Sequence, residues 1–311
     1  MRLVFCGTPE FAVPTLQALV DAGHHISLVV TQPDRASGRG LETAEPAVKL
    51  MAVSLGLPIA QPEKIKKNPE FRAQLEAIAP DAIVVVAFGR IIPKWMLDLP
   101  KYGNVNLHGS LLPKYRGAAP IQWAIANGET ESGVTTMLLN EGLDTGDMLL
   151  AHKVGILPDM IAPELFEALS YVGAPLMVDT LRKLERGDLC PVPQDDALAT
   201  YAPPLTRADG EIDFKRTAQQ IYDRWRGFQP WPGAFTHFRG KRLVVHLLCV
   251  DQKEQIELQP GELGIRHGKL FVGCAHGMKL ELREVQVEGK ARSSAEEFIR
   301  GYQVRDHERL S

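Results

Sequence analysis

Short apolar runs alternate with longer amphipathic stretches through the first 187 residues. Runs with strand-like composition and stretches with helical spacing follow each other in turn, which is typical of a mostly parallel sheet with helices on both faces. We therefore predict an α/β domain over residues 1–187. The predicted strands are Leu3–Cys6, Ile26–Val30, Pro58–Ala60, Ala82–Phe88, Val105–His108, Gly133–Leu139 and Met148–Val154. The predicted helices are Val13–Ala22, Pro46–Leu55, Pro69–Ile78, Pro120–Ala126 and Pro163–Glu185.

The pattern changes after Gly187. Four prolines and no clear periodicity predict an extended linker over residues 188–207. Residues 208–311 then show a short helix, several β-like runs and a last helix, which predict a small β-barrel domain. The predicted elements are the helices Thr217–Gly227 and Ser294–Gly301 and the strands Ala234–Phe238, Leu243–Val250, Gly268–Cys274 and Met278–Val287.

Composition fits an ordinary globular protein of 311 residues, 45% hydrophobic and 23% charged. No apolar run approaches the roughly 18 residues of a membrane span, and Met1 leads straight into a strand pattern. Four cysteines lie scattered without metal or disulfide spacing. We therefore expect a cytoplasmic protein with reduced thiols, no membrane contact and no metal.

Charge differs between the two halves. Residues 1–207 carry 18 Lys and Arg against 23 Asp and Glu, whereas residues 208–311 carry 17 against 15. A mildly basic second domain permits contact with a polyanion without requiring it.

The most informative polar positions lie on one predicted strand. Asn106 and His108 are two residues apart and share a face, while Val105 and Leu107 fill the other. A loop carboxylate, Asp144 within Leu143-Asp144-Thr145-Gly146, could complete a polar site, although an Asx turn is the more ordinary use of such a residue between glycines. The chain has no nucleophile elbow and no HExxH motif. These residues suit direct acyl transfer to an amine, with hydrogen bonds to a negative oxygen.

Three other features have competing interpretations. Gly7 and Asp34 invite a dinucleotide site, but the first turn has one glycine where the fingerprint needs three, and we reject NAD. The polar stretch Thr31–Glu45 is either a functional or a solvated loop. Basic residues interleaved with aromatic ones after Arg224 suit either a nucleic-acid face or a barrel core.

Several motifs together resemble a known family. The chain contains TQPDRASGRG, VVVAFGRIIP, NLHGSLLPKYRGAAP, GLDTGDML and PWPGAF, in that order. In these motifs it closely resembles the methionyl-tRNA formyltransferases, within the folate-dependent formyltransferases, along nearly its whole length. The resemblance implies a Rossmann-like catalytic domain and a C-terminal domain similar to an OB barrel.

The resemblance also implies site residues. The family's catalytic residues fall on Asn106, His108 and Asp144. Its folate contacts fall on the segment of Ser110, Leu111, Leu112 and Pro113 and on Phe88, Gly89 and Ile91. Its tRNA contacts fall on Arg35 and Arg39 of the polar loop and on Arg242 of the C-terminal domain. Here, Leu41-Glu42-Thr43-Ala44-Glu45 brings negative charge where the family usually has basic residues.

The implied reaction is transfer of the formyl group of 10-formyltetrahydrofolate to the amino group of initiator methionyl-tRNA, by a monomer without a metal. The alternatives are formylation of another amine, such as an amino-sugar nucleotide or glycinamide ribonucleotide, and an RNA-binding module with an inert α/β body. The final hundred residues argue against the glycinamide enzymes, which resemble the N-terminal domain alone.

Overall fold

The apolar runs of the first half pair into one seven-stranded sheet, as predicted. In this computed structural model, which describes residues 1–37, 42–251 and 253–311, the sheet order is β10-β9-β7-β6-β1-β2-β5. The strands from β7 to β5 are parallel, and β9 pairs antiparallel with both of its neighbours, β7 and β10. The strands of this part of the chain are β1 (Arg2–Gly7), β2 (His25–Val30), β3 (Arg35–Ser37), β4 (Glu42–Ala44), β5 (Ile59–Ala60), β6 (Ala82–Val86), β7 (Asn104–His108), β8 (Arg116–Gly117), β9 (Glu131–Leu138), β10 (Met148–Gly155) and β11 (Tyr201–Ala202).

Helices cover both faces of this sheet. Phe71 and Met96 pack in one apolar cluster with Val4, Cys6 and their neighbours on one face. On the opposite face, a Cβ added at Gly173 would meet the Leu107 side chain at 2.5 Å. The α-helices within the described residues are α1 (Val13–Asp21), α2 (Ala47–Ser54), α3 (Pro69–Ile78), α4 (Lys94–Leu97), α5 (Pro120–Ala126), α6 (Ala162–Arg186), α7 (Ala218–Gly227) and α8 (Ala295–Tyr302).

The central strand β6 is buried along its whole length, because its side chains are apolar on both faces. It ends at Val86, two residues before the predicted end at Phe88. Ala87 has a φ of 45°, a left-handed conformation that turns the chain out of the sheet. The loop that follows β6 therefore starts at Ala87.

Four short strands and one helix were not predicted in this half. β3 and β4 form an antiparallel pair inside the stretch predicted as an irregular loop. β8 and β11 form a parallel pair, so the segment predicted as a linker is hydrogen-bonded to residues 116–117. α4 has only four residues, too few to show a period.

The second sheet is an antiparallel half-barrel, the OB-like arrangement predicted for the C-terminal domain. Its order is β12-β13-β16-β15-β14, with β17 paired to β16. Its strands are β12 (Phe235–Phe238), β13 (Lys241–Asp251), β14 (Leu263–Arg266), β15 (Lys269–Gly273), β16 (Lys279–Val287) and β17 (Ser293–Ser294). α7 and α8 contribute Ile221, Trp225 and Phe298 to its core. β14 was not predicted, because Gly264 and Arg266 interrupt its apolar residues.

The chain divides into two compact units whose boundaries differ from a single cut in the sequence. Unit 1 comprises Met1–Pro120, Glu131–Gly155 and Glu164–Pro203. Unit 2 comprises Ile121–Thr130, Ile156–Pro163 and Pro204–Ser311. Unit 2 therefore includes two short segments that the sequence analysis assigned to the first domain.

Candidate active site

Asn106 and His108 lie on β7 with their side chains on one face, as the strand period predicts. They are 8% and 6% exposed, respectively. Asn104, on the same face, donates both its amide hydrogen bonds to the carbonyls of Met96 and Leu97. The Asn106 amide, by contrast, makes no hydrogen bond within the described part of the chain, and its polar atoms are not fully enclosed. Asn106 therefore offers a donor at the carboxyl end of a parallel strand.

The two ring nitrogens of His108 have different neighbours. Nε2 lies 2.9 Å from the carbonyl oxygen of Tyr115, which can only accept, so Nε2 carries a hydrogen and donates it. Nδ1 lies 3.7 Å from Oδ2 of Asp144. The nitrogen left for chemistry is thus Nδ1, and it is the one beside the carboxylate.

The Asp144 carboxylate is held from outside its own loop. Its Oδ2 accepts a 2.8 Å hydrogen bond from the backbone N–H of Gly117. The Asx turn considered for this loop belongs to Asn140, whose Oδ1 accepts from Gly142 N and Thr145 Oγ1. Asp144 itself has a φ of 51°, which is uncommon for a residue with a side chain.

Gly146 allows this loop to approach the sheet. A Cβ at this position would lie 1.7 Å from the carbonyl oxygen of Leu138, the last residue of β9. No other residue type fits there without moving the backbone. The glycine of the Leu143-Asp144-Thr145-Gly146 motif thus sets the position of Asp144.

The predicted folate segment is a tight loop after β7. The Ser110 hydroxyl donates to the carbonyl of Lys114, and the Ser110 carbonyl accepts from the Thr135 hydroxyl. Thr135 also accepts from the N–H of Leu112. Ser110 and Leu112 are buried, whereas Leu111 and Pro113 are half-buried. Thr135, which the sequence analysis did not identify, fixes this loop against β9.

The other predicted folate residues follow β6. The Phe88 side chain is buried, and its carbonyl accepts hydrogen bonds from Thr8 and Gln32. Gly89 has a φ of 71°, and Ile91 is 91% exposed. An almost fully exposed isoleucine at the carboxyl end of a parallel sheet is an unusual placement for a large apolar side chain.

The predicted tRNA contacts have different surroundings. Arg35 is exposed on β3, and Arg39 lies outside the described residues. The Arg242 guanidinium in unit 2 stacks 3.8 Å from the centre of the Phe235 ring. Asp34, considered as a ribose ligand, is bonded to Lys49 and Gln61 instead, and these bonds lower the pKa of its carboxyl.

Gln194 and Arg116 belong to the site without having been predicted as site residues. Gln194 Nε2 donates to the carbonyls of Asp144 and Gly146, at 2.8 and 2.7 Å. Its Oε1 accepts from Nε of Arg116, which is 2% exposed. Arg116 stood inside a quoted motif, but nothing in the sequence linked Gln194 to a loop 50 residues away.

Metal ligands and membrane spans were also sought in the described ranges. Residues 1–37, 42–251 and 253–311 contain no cluster of three His, Cys, Asp or Glu side chains arranged to hold a metal ion. None of the helices in these ranges has the length and apolarity to cross a bilayer.

Comparison with known proteins finds formyl transferase families that match both the N-terminal and the C-terminal part of the chain. A family described as Formyl transferase matches residues 1–181, and its C-terminal domain family matches residues 204–303. A protein named methionyl-tRNA formyltransferase from Acidobacterium capsulatum is 61% identical, over 100% of this chain and 99% of its own length. One of the same name from Koribacter versatilis is 56% identical, over 100% and 98%.

Solved structures share the fold at low sequence identity. An N-formyltransferase from Helicobacter canadensis, in complex with folinic acid and dTDP-3-aminofucose, is 17% identical with a TM-score of 0.66, covering 90% of this chain and 98% of that one. HypX from Aquifex aeolicus, in complex with tetrahydrofolic acid, is 16% identical with a TM-score of 0.61, covering 100% and 50%. At these identities the likeness concerns the fold alone.

Proposed function

Because the chain belongs to the formyl transferase family over both its N-terminal and its C-terminal domain, we propose that Asn106, His108 and Asp144 carry out its formyl transfer. The chain is an enzyme of one-carbon transfer: it moves a formyl group from a formyl-tetrahydrofolate to the amino group of methionyl-tRNA, the activity for which its full-length relatives are named. As the finer assignments we propose 10-formyltetrahydrofolate as the donor and the initiator tRNA as the acceptor.

Asn106 acts on the formyl oxygen in this proposal. When the neutral methionine amine attacks the formyl carbon, negative charge develops on that oxygen. A hydrogen-bond donor already in place, in a site with little water, stabilises this charge without reorganisation. The unbonded amide of Asn106, 8% exposed on a rigid strand, is such a donor.

His108 donates a hydrogen bond to the formyl oxygen and Asp144 transfers the proton of the amine in this proposal. The bond from Nε2 to Tyr115 fixes the ring, so a protonated Nδ1 can donate to the formyl oxygen while Asp144, 3.7 Å away, stabilises the imidazolium. The amine loses a proton as its bond to the formyl carbon forms, and the N10 nitrogen of the folate needs one as its bond breaks. We propose that the Asp144 carboxylate relays this proton, directly or through water.

The ends of β6 and β7 suit the folate. These strands are parallel neighbours, and open parallel sheets bind ligands beyond their carboxyl ends. Ile91 supplies an exposed apolar side chain there, and the segment Ser110–Pro113 supplies a loop fixed by Thr135. We propose that these residues, with Phe88 and Gly89, hold the donor.

Three arginines contact the tRNA in this proposal. Arg35 and Arg39 of the polar loop and Arg242 of unit 2 would contact its phosphates, an interaction that weakens steeply with salt. We further propose that the protein acts as a monomer in the cytoplasm, where charged tRNA is made.

The observation that carries the proposal is the unbonded Asn106 amide beside the His108–Asp144 pair, and mutation tests it. Asn106→Ala and His108→Ala should each lower kcat about a hundredfold or more, because each removes one donor to the developing charge. The Kd for the folate should stay within about twofold. The measurement is formyl transfer from labelled 10-formyltetrahydrofolate to methionyl-tRNA.

Asn104→Ala is the matched control, since it removes an amide from the same face of β7 whose bonds go to the backbone. It should lower stability while keeping turnover within a few-fold. Near-normal turnover of Asn106→Ala or His108→Ala would refute the assignment. Parallel assays with glycinamide ribonucleotide and an amino-sugar nucleotide test the alternative acceptors.

A further inference from the structure

We infer that Gln194 is a positioning residue of the active site, which holds the Asp144 loop in its reactive geometry through the backbone carbonyls of Asp144 and Gly146. The inference rests on the role proposed for Asp144. Gln194 lies 50 residues further along the chain, in the proline-rich segment before Pro203. No part of the formyl transfer proposed above requires this segment.

The hydrogen bonds of Gln194 leave its amide only one orientation. Carbonyl oxygens only accept, so the nitrogen of the amide must face Asp144 and Gly146, at 2.8 and 2.7 Å. A guanidinium only donates, so the amide oxygen must face Arg116, at 2.9 Å. Each end of the amide thus meets the partner type that it requires.

Arg116 is a firm support for this amide. Its side chain is 2% exposed, and its Nη2 also binds Asp196 at 2.8 Å. Asp196 is 85% exposed, so the pair keeps one charge in solvent while the guanidinium is buried. The guanidinium cannot turn away without leaving its charge unpaired inside the protein.

Three consecutive residues connect this support to the reacting groups. The carbonyl of Tyr115 binds His108, the side chain of Arg116 binds Gln194, and the N–H of Gly117 binds the Asp144 carboxylate. His108 and Asp144 are therefore fixed to one short segment, β8 and the residue before it. Gln194 completes this network by joining Arg116 to the carbonyls of Asp144 and Gly146.

The conformation of Asp144 explains why such support is needed. A non-glycine residue with a φ of 51° is held in a sparsely populated region and persists only when its surroundings enforce it. Gln194 provides two hydrogen bonds that do so. Without them, we expect the carboxylate to spend less time beside His108.

The test uses Gln194→Glu in the full-length enzyme. The variant keeps an oxygen for Arg116 but turns its second oxygen toward two carbonyls, to which an ionised carboxylate cannot donate. Its kcat at neutral pH should fall about tenfold to a hundredfold, the effect of a displacement near 1 Å. The KM for methionyl-tRNA should stay within about twofold.

A pH series separates positioning from simple loss of structure. As the pH falls through the pKa of the introduced carboxyl, which Arg116 lowers and the two facing carbonyls raise, this side chain gains a proton and can again donate one hydrogen bond. The ratio of variant kcat to wild-type kcat should therefore rise at low pH. Gln194→Met, which cannot regain a donor, should show a low and constant ratio. Thermal unfolding of each variant confirms that it is folded at the assay temperature.

Asp144→Asn, measured in parallel, keeps the two proposals distinguishable. If Asp144→Asn turns over normally, the role proposed for Asp144 is wrong and this inference falls with it. If Asp144→Asn is impaired while either Gln194 variant turns over within twofold of wild type, only the inference is wrong. A Gln194→Glu ratio that does not change with pH also overturns it.

Discussion

A single glycine determines where the Asp144 carboxylate can lie. Gly146 packs against the backbone of Leu138 so closely that no side chain fits, and Asp144 is two residues away. The same loop is held by Gln194 and by Gly117. The position of the Asp144 carboxylate thus depends on backbone contacts of its loop as well as on the three polar side chains themselves.

Gly146→Ala should therefore destabilise the protein and lower its kcat. The added Cβ forces the loop away from β9, which we expect to cost about 1–3 kcal/mol, as overpacking typically does. Urea unfolding measures the loss, and kcat should fall with it. Gly155→Ala is the control, because a Cβ there would meet nothing within 4 Å. Equal stability of the two variants would contradict this account.

Residue-level prediction succeeded where a short-range rule applied. The period of a strand placed Asn106 and His108 on one face, and the structure confirms this placement. Asp144 could not be joined to His108 from spacing alone, because the distance between them depends on how two loops fold. Gln194 could not be identified for the same reason: its amide nitrogen binds two backbone carbonyls, which every residue carries, and its oxygen binds an arginine 78 residues away.

At the scale of elements, uniform apolar runs were predicted well and short paired segments were not. The apolar run of β6 predicted a buried strand, and the structure has one, although Ala87 ends it two residues before the predicted end. β8 and β11 have two residues each, and their pairing arises from tertiary contact rather than from local pattern. The base of the polar loop is likewise held by tertiary contacts, because Asp34 accepts hydrogen bonds from Lys49 on α2 and from Gln61 after β5.

The hydrogen bonds of Asp34 at the base of the polar loop predict how the stability of the protein depends on pH. Hydrogen bonds from Gln61 and Lys49 lower the pKa of Asp34 in the folded protein. A lowered folded-state pKa adds stability above the unfolded-state pKa, about 4 for Asp, and this stability is lost as the pH falls through the folded-state value.

Asp34→Asn should thus be less stable than wild type at pH 7, and the difference should shrink on acidification below about pH 4. Unfolding free energies from pH 3 to 7 measure it. An exposed ion-pair variant, Asp98→Asn immediately after α4, serves as the control and should show little effect at any pH. A difference for Asp34→Asn that is constant across the series would rule out the ionised network as its cause.

At the scale of the whole molecule, unit 2 gathers three separate parts of the chain. Arg226 on α7 joins two of them: it forms a buried ion pair with Asp223 on its own helix, at 2.5 Å, and donates to the carbonyls of Leu157 and Met160. Trp123 from the third part packs edge-on against Phe228. The division predicted at one linker omitted these segments, because local composition does not reveal which distant residues a segment contacts.

Arg226→Met should cost about 3–5 kcal/mol, since it leaves the Asp223 carboxylate buried without its partner. The double variant Asp223→Leu/Arg226→Met should recover much of that loss, because no charge is then left unpaired. Equilibrium unfolding in urea compares them. A double variant that is less stable than Arg226→Met would show that the pair itself stabilises unit 2.

Because unit 2 is built from three separate segments of the chain, it cannot be completed until the last of them has been synthesised. A ribosome makes residues 121–130 and 156–163 long before α7 leaves the exit tunnel, so these stretches wait for roughly sixty to a hundred further residues before their native partners exist. During that interval Trp123 lacks its edge-on contact with Phe228, and the carbonyls of Leu157 and Met160 lack the Arg226 guanidinium from which they accept hydrogen bonds.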